Sequence, residues 1–198
     1  MMKSILLPKR RHFLLPLLLR FHTTISLTTT TPRHPKIAVV GAGASGMFGA
    51  AAAAEALKKN NANGGRYEVI VLESGRKTMT KVAISGGGRC NVMHDTTKPT
   101  PQILSNYPRG AKELSGIFNK RFAPTDARAW FESRGVTLKT EADGRVFPVT
   151  DSSRTIIDAV ARSAQEAGAV VCLRRKVVSV EYKGGESGGF VVRWNGKG

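Results

Sequence analysis

A glycine-rich turn directly after a short apolar run constrains this chain more than any other feature. It follows the apolar residues 37–40 and reads Gly41, Ala42, Gly43, Ala44, Ser45, Gly46. In such a turn the first glycine allows the bend, the second lets backbone approach a pyrophosphate, and the third permits close helix–strand packing. Ala44 precedes a helix predicted from Ser45, whose N-terminal amides would face the anion. The turn predicts dinucleotide binding; the alternative is that the glycines merely end a strand.

The surrounding residues predict a βαβ unit. Residues 45–59 are rich in alanine, a strong helix former, and residues 60–65 are a loop of Asn and Gly. Residues 36–40 and 67–72 are short Val- and Ile-rich runs, typical of buried strands. We therefore expect two parallel strands joined by a right-handed helical crossover.

Glu73 ends the second predicted strand, where an acidic residue commonly binds a ribose hydroxyl. More residues than usual separate the glycine turn from Glu73, and the loop at 60–65 accounts for the additional ones. An acid here favours a free 2′-hydroxyl, as in FAD or NAD, over the phosphate of NADP, although Arg76 and Lys77 lie close by. The other interpretation of Glu73 is an ordinary charge at a strand end.

A second glycine-rich loop is suited to approach the same anion. It consists of Ser85, Gly86, Gly87, Gly88, Arg89, Cys90 and Asn91. Consecutive glycines can present successive N–H groups to an anion, and Arg89 adds a charged donor. The side chains of Ser85, Asn91 and the upstream Lys81 are further candidates for phosphate, ribitol or the flavin ring. From glycine content alone, a flexible surface turn is the alternative.

The sequence identifies no catalytic residue. Cys90 has no C-x-x-C partner, which argues against a redox thiol. Three of the four histidines precede residue 36, and His94, the fourth, is expected on a surface loop. No metal-ligand cluster, Ser-His-Asp set or Walker loop is visible, and the Tyr-x-x-x-Lys pair of many NAD-dependent dehydrogenases is missing.

The first 35 residues have the composition of an organelle-import leader. They carry six basic residues and no acid, with a Thr- and Ser-rich run at 23–31. The apolar run at 13–19 makes a secretory signal the rival, and it is shorter than the roughly 20 residues that span a bilayer. We expect a disordered leader, recognised by import machinery, that directs the chain to the mitochondrion, with the plastid as the alternative.

The chain is strongly basic, with a formal net charge of +17. Beyond the leader the cations are scattered, and only pairs or triplets cluster, such as Arg174, Arg175 and Lys176. Scattered charge indicates a solvated surface that attracts an anionic cofactor. Because no RNA- or DNA-binding motif accompanies it, we expect no nucleic-acid partner and no stable membrane span. The two cysteines fit a reducing compartment.

Further elements are predicted along the rest of the chain. Residues 74–110 have little periodicity, which predicts mostly loop. Helices are predicted at 114–118, at 125–134 with Thr125 as N-cap, and from Ser152 or Ser153 to 167. Strands are predicted at 136–139, 145–147, 169–173, 177–182 and 190–194.

Four stretches together resemble one family of flavoproteins. They are residues 36–46, the strand that ends in Glu73, residues 81–91 and residues 144–151. The family is bacterial and plant, and it includes the BaiN-type proteins of bile-acid metabolism and sequences described as aminoacetone oxidases. The first turn is generic to many flavoproteins, whereas residues 84–91 and 144–148 are more specific. The chain resembles a plant organellar member.

The resemblance implies an α/β, Rossmann-like FAD-binding domain of glutathione-reductase type, with a parallel sheet, over residues 36–182. A β-rich inserted domain would begin at 183–198. The implied chemistry is a flavin-dependent oxidoreductase with hydride transfer through FAD, NAD(P)H as a candidate electron donor, and an undefined small-molecule substrate. Arg89, Cys90 and Asn91 would lie near the cofactor, and Val177 or Val178 would offer backbone groups to adenine.

Family members continue well beyond this length, so the resemblance implies a C-terminally truncated chain that lacks part of the flavin site. Two alternatives to the oxidoreductase therefore stay open. One is a non-catalytic isoform that binds nucleotide, and the other is a soluble NAD-dependent dehydrogenase built on the same βαβ unit.

Overall fold

The structure is a computed structural model, and it describes residues 23–25, 36–60, 68–184 and 189–195. Its strands are β1 Thr23–Ile25, β2 Lys36–Val40, β3 Glu68–Leu72, β4 Met93–His94, β5 Leu138–Thr140, β6 Arg145–Pro148, β7 Val170–Cys172, β8 Lys176–Lys183 and β9 Gly189–Asn195. Its helices are α1 Ala44–Asn60, α2 Thr80–Ile84, α3 Thr100–Leu104, α4 Ala111–Lys120, α5 Pro124–Glu132 and α6 Ser153–Glu166. A 3-10 turn, Ser85–Gly88, follows α2.

A three-stranded parallel sheet in the order β2-β3-β7 forms the centre of the fold. Helix α1 packs on one face of this sheet, over the buried side chains of Val69 and Val71, and α6 packs against α1 in the same apolar cluster. Ala50, Ala51 and Ala54 of α1 are buried there, since their small side chains let the helix approach the sheet closely. The predicted α/β class and the β2–α1–β3 unit are confirmed.

The other face of the parallel sheet carries a second, smaller apolar cluster. Leu72 packs there with Val192 and Trp194 of β9. Strand β9 pairs antiparallel with β8 on one side and with β1 on the other. The strand β1 lies inside the segment 1–35, whose role as a leader stays a prediction because the remainder of that segment is outside the described residues.

A third sheet, antiparallel and in the order β4-β6-β5, lies near the second glycine loop. Its central strand β6 contributes Val146 and Phe147, both fully buried. The predicted strands at 136–139 and 145–147 are thereby confirmed, as are the helix α6 and its cap, where the Ser152 hydroxyl accepts a hydrogen bond from the Arg154 amide at 3.3 Å.

Two expectations about local structure were wrong. The strand β2 is largely exposed, with Val40 56% exposed, because β2 is an edge strand of the sheet rather than an interior one. Helix α5 begins at Pro124, so Thr125 is not its cap; the amide of Ala123 donates to the Asp126 carboxylate at 2.7 Å instead. Residues 74–110, expected to be mostly loop, contain the short elements α2, α3 and β4 and the 3-10 turn, with loop between them.

Among the described residues, each helix is too short or too polar to cross a bilayer. The same part of the chain contains no cluster of His, Cys, Asp and Glu that could hold a metal ion. The loop expected at 60–65 lies mostly outside the described residues.

Candidate dinucleotide site

The first glycine turn brings α1 directly against the end of β2. The Gly41 amide donates to the carbonyl of Leu72 at 2.8 Å, and Gly41 has φ +93°, a value that glycine adopts without strain. A Cβ on Gly46 would lie 1.9 Å from the Gly41 carbonyl oxygen. The third glycine of the motif is therefore required for the close helix–strand contact that the sequence predicted.

Gly43, unlike Gly46, has open space around its Cα atom. A Cβ on this residue would meet no atom within 4 Å, and Gly43, Ala44 and Ser45 are all exposed. The first amides of a helix have no partner inside the helix and form its positive end. The backbone at Gly43 is thus open to close approach by an anion at the N-terminus of the 17-residue helix α1.

The carboxylate of Glu73 lies against this turn. Its Oε2 accepts a hydrogen bond from the Ala42 amide at 2.7 Å, and its Oε1 accepts one from the Gly75 amide at 2.6 Å. These backbone donors, Gly75 first and Ala42 second, lower the pKa of Glu73 below its usual value. The carboxylate is ionised at neutral pH, and its remaining lone pairs can accept from ribose hydroxyls.

The helix α2 connects the two glycine-rich loops. Met79, the residue before α2, is buried and donates its amide hydrogen to the Ala42 carbonyl at 2.7 Å. Near the other end of α2, the Ser153 hydroxyl donates to the carbonyl of Ala83 at 2.9 Å. Lys81 lies between these anchors with an exposed side chain. The second loop therefore starts from a segment fixed to the first turn and to α6.

The second loop adopts a left-handed backbone at most of its residues. Gly86, Gly87 and Gly88 have φ of +55°, +68° and +85°, and Cys90 has φ +63°. A Cβ on Gly86 would lie 3.0 Å from the amide nitrogen of Asn91 and 3.1 Å from the ring of Phe147. The loop therefore packs against the β4-β6-β5 sheet through Gly86.

Arg89 fastens this loop to the neighbouring sheet. Its guanidinium donates to both carboxylate oxygens of Glu141, at 2.6 and 3.3 Å, and to Asp151 at 3.2 Å. It also stacks over the ring of Phe147 at 3.9 Å. The charge predicted to meet an anionic ligand is therefore balanced by two acids of this chain.

Other predicted ligands of the second loop also make internal contacts. The side-chain oxygen of Asn91 accepts from the Val146 amide at 3.2 Å, and the Ser85 hydroxyl donates to the carbonyl of Val82 at 2.9 Å. A direct role of Ser85, Arg89 or Asn91 toward a cofactor stays a prediction. Sequence reasoning missed Glu141 and Asp151, because they lie 52 and 62 residues from Arg89 and no local pattern connects them.

Three further candidates occupy different surroundings. The Cys90 thiol is buried, and burial raises its pKa while a hydrogen bond with Ser85 opposes this effect. Val177 lies in β8 opposite Trp194 and packs beside Leu72, so its backbone role toward adenine also stays a prediction. His94 was expected on a surface loop and instead lies half-buried in β4; its Nδ1 has no hydrogen-bond partner among the described residues.

Comparison with known proteins identifies the family. A family model described as the HI0933-like protein Rossmann domain matches residues 35–196. The chain belongs to this family. The match covers the parallel sheet, both glycine-rich loops and the β8–β9 hairpin.

Two proteins of known activity are similar to this chain at low sequence identity. A ribosomal RNA dihydrouridine synthase of Escherichia coli is 28% identical over 158 residues, which cover 80% of this chain and 35% of the relative. A 3-dehydro-bile acid delta(4,6)-reductase of Clostridium scindens is 24% identical over 162 residues, which cover 82% of this chain and 36% of the relative. The chain thus spans about a third of the length of these relatives.

Among solved structures, THI4 of Thermovibrio ammonificans aligns with 75% of this chain and 41% of its own chain, at 15% identity and a TM-score of 0.46. Membership of this family and the similarity to the reductase support a protein of the flavin oxidoreductase class, the class of enzyme that the sequence predicted.

Proposed function

We propose that this chain binds FAD and acts in a flavin-dependent oxidoreductase, with hydride transfer through FAD and NAD(P)H as the reductant. The observation that carries this proposal is the position of the Glu73 carboxylate, 2.7 Å from the Ala42 amide of the glycine turn. An acid fixed beside a turn with an open Gly43 fits the ribose and pyrophosphate of an adenine dinucleotide.

Different residues of the site would bind the pyrophosphate and the ribose of FAD. The N-terminal amides of α1, from Gly43 to Ser45, would hold the pyrophosphate, and the ionised Glu73 would accept hydrogen bonds from the adenosine ribose. Gly46 allows α1 to lie against the Gly41 backbone and the Val39 side chain, where a larger residue would not fit. When bound, FAD supplies the hydride chemistry, and the protein supplies position and electrostatics.

The reaction class we favour is the reduction of a carbon–carbon double bond. Dihydrouridine is the reduced form of uridine, and the Clostridium relative is named a reductase.

The Cys90 thiol is not expected to take part in this chemistry. Burial raises the pKa of Cys90, so a neutral thiol is expected there rather than a nucleophilic thiolate. This environment supports the expectation that Cys90 is not a redox thiol.

A visible spectrum tests the proposal. The purified chain should show the two absorption bands of a bound flavin, and anaerobic addition of NADH or NADPH should bleach them. A colourless protein that takes up no added FAD would overturn FAD binding. A flavin that neither nucleotide reduces would leave FAD binding intact and refute NAD(P)H as the reductant.

We also propose that residues 1–35 direct the chain to the mitochondrion, on the strength of their acid-free, hydroxyl-rich composition. A fusion of these residues to a fluorescent protein should co-localise with a mitochondrial marker in plant cells. Plastid fluorescence would support the alternative address, and diffuse fluorescence would contradict a leader altogether.

A further inference from the structure

Helix α4 has an apolar face that the fold does not bury. Ile117 and Phe118 follow Leu114 by three and four residues, the spacing that puts side chains on one side of a helix. No residue of α4 is buried, whereas α1, α5 and α6 each bury at least one side chain. A helix of ten residues is marginal in water without packing of its apolar face. The face of α4 is therefore incompletely covered within the described residues.

Two exposed apolar side chains lie together at the end of α4. Ile117 is 47% exposed and Phe122 is 39% exposed. The Phe122 amide donates to the Ile117 carbonyl at 3.0 Å, which keeps the two residues adjacent. The ring of Phe122 also meets the ring of Phe48 of α1 edge-on, with centroids 5.9 Å apart. This contact attaches the exposed pair to the body of the fold.

Two cations border this apolar pair. Lys120 and Arg121 lie three and four residues after Ile117, the separation at which side chains of a helix are neighbours. The Arg121 amide donates to the Ile117 carbonyl at 2.8 Å, so the helical pattern continues through Arg121. Both cations are exposed, and neither forms a salt bridge within the described part of the chain. We call Ile117, Lys120, Arg121 and Phe122 the α4 patch.

The charge around the α4 patch is mainly positive. Arg109 and Lys112, near the start of α4, are also exposed and form no salt bridge among the residues that the structure describes. Residues 107–122 carry four cations and a single acid, Glu113. The next acid along the chain, Asp126, accepts a hydrogen bond from a backbone amide at the start of α5. The surface therefore combines exposed apolar side chains with an excess of positive charge.

We propose that the α4 patch binds the surface of an anionic lipid bilayer. Ile117 and Phe122 enter the interface, and Lys120 and Arg121 meet the lipid phosphates. A dissolved anion would use the cations alone, whereas the bilayer interface takes up apolar side chains and cations together. An amphipathic helix bordered by lysine and arginine is typical of proteins that lie on a membrane surface. The binding is peripheral, without a membrane span, and it does not depend on the flavin.

The test is co-sedimentation of the full chain with vesicles of phosphatidylcholine, with or without phosphatidylglycerol as the anionic lipid. Because residues 1–35 are also basic, variants of the α4 patch decide the outcome rather than the parent chain alone. Ile117→Ser removes apolar surface, and K120Q/R121Q removes two charges. Should Ile117→Ser fail to fold by circular dichroism, Ile117→Thr takes its place, because it keeps the branched side chain.

A matched control accompanies each variant. Val180→Ser changes a side chain of β8 that is 54% exposed, close to the exposure of Ile117. R76Q/K77Q removes one arginine and one lysine that are exposed after β3, as K120Q/R121Q does at the end of α4. Both controls should bind anionic vesicles like the parent chain.

We expect weaker binding to anionic vesicles in both patch variants, by at least about fivefold in Ile117→Ser and about tenfold in K120Q/R121Q. Neutral vesicles should bind the parent chain at least about tenfold more weakly, and added KCl should weaken binding to anionic ones. On anionic vesicles, hydrogen exchange at residues 114–121 should slow, with no change at α6.

Three outcomes would overturn the proposal. Equal losses in the patch variants and their controls would show that the α4 patch has no special part in binding. A loss in K120Q/R121Q without one in Ile117→Ser or Ile117→Thr would show attraction between charges alone. A soluble amphipathic peptide of Glu and Leu that binds the parent chain but neither patch variant, with vesicle binding unchanged, would assign the α4 patch to an acidic protein partner.

Discussion

The Glu73 carboxylate and the Ala42 amide lie 2.7 Å apart, so one acid joins the end of β3 to the glycine turn after β2. The same residue donates its amide hydrogen to the Cys172 carbonyl of β7 at 2.9 Å, and its carbonyl accepts from Arg175 at 2.7 Å. Glu73 therefore connects all three strands at the edge where a dinucleotide would bind. A residue with these contacts has a structural role before any ligand arrives.

Replacing Glu73 by glutamine should destabilise the chain by about 1–2 kcal/mol at neutral pH, because an amide cannot accept from both Ala42 and Gly75 as the carboxylate does. Urea denaturation measures the change. The control is Glu68→Gln in the same strand, whose ion pair with Lys36 is on the surface and should matter little. Equal stability of Glu73→Gln and the parent chain would contradict the described contacts.

The stabilisation by Glu73 should depend on pH. Its pKa is lowered in the folded chain, chiefly by the Gly75 amide, so the stabilising contribution is present above the unfolded pKa of about 4.3. It is lost as the pH falls through the lowered folded value. The difference between the parent chain and Glu73→Gln should therefore shrink as the pH falls below about 5 and through the lowered folded pKa of Glu73 in denaturation experiments. A difference that stays constant over this range would exclude an ionised Glu73 as its origin.

Two glycines of α1 should respond in opposite directions to alanine. Gly46→Ala places a Cβ 1.9 Å from the Gly41 carbonyl oxygen, so the helix must shift, at a cost of about 1–3 kcal/mol or more. Gly49→Ala meets no atom within 4 Å, and it should stabilise the helix by about 0.5–1 kcal/mol. Thermal denaturation of both variants checks this, and a tolerated Gly46→Ala would show that the helix does not contact the turn.

Lysine at position 89 should loosen the second glycine loop. It cannot donate in bidentate fashion to Glu141 or stack as a planar group on Phe147. We expect faster hydrogen exchange at residues 85–91 in Arg89→Lys, with no change at α6. The control is Arg154→Lys, because the ion pair of Arg154 with Asp158 lies on the surface of α6. Unaltered exchange at 85–91 would mean that Arg89 does not hold the loop.

The two cysteines should differ in reactivity. Cys90 is buried with a raised pKa, whereas Cys172 is only partly buried. Iodoacetamide, which attacks the thiolate, should therefore alkylate Cys172 first under native conditions. Peptide mass spectrometry over time reads out both sites, with urea-denatured protein as the reference in which the rates converge. Preferential labelling of Cys90 would reveal a reactive thiol and contradict the expectation from its missing C-x-x-C partner.

Local sequence patterns predicted the elements on which the site is built. The strands β2 and β3, the helix α1 and the acid at Glu73 follow from periodicity, helix propensity and motif spacing, which are properties of neighbouring residues. The Ser152 cap of α6 has the same local origin. The close approach at Gly46 was also predictable, since the motif itself encodes a helix packed on a strand.

Contacts between residues far apart in the chain could not be predicted from the sequence. The partners of Arg89 come from the β5–β6 region, and the exposure of β2 depends on which strand occupies the edge of the sheet. The hydrogen bond from the Arg174 amide to the Gly75 carbonyl forms only because β7 lies beside β3, which brings together residues far apart in the chain. Such relationships follow from tertiary packing, and no local pattern carries them.

The central claim is that the first glycine turn binds FAD, and the Gly43→Ala variant tests it most directly. A Cβ at this position is free of contacts within the chain, so the variant should fold and denature like the parent protein. The same Cβ would stand between the backbone and a pyrophosphate. Titration of FAD, followed by its fluorescence, should show binding weakened at least about tenfold in Gly43→Ala. Unchanged FAD affinity would contradict the claim and leave the glycines as a means of ending β2.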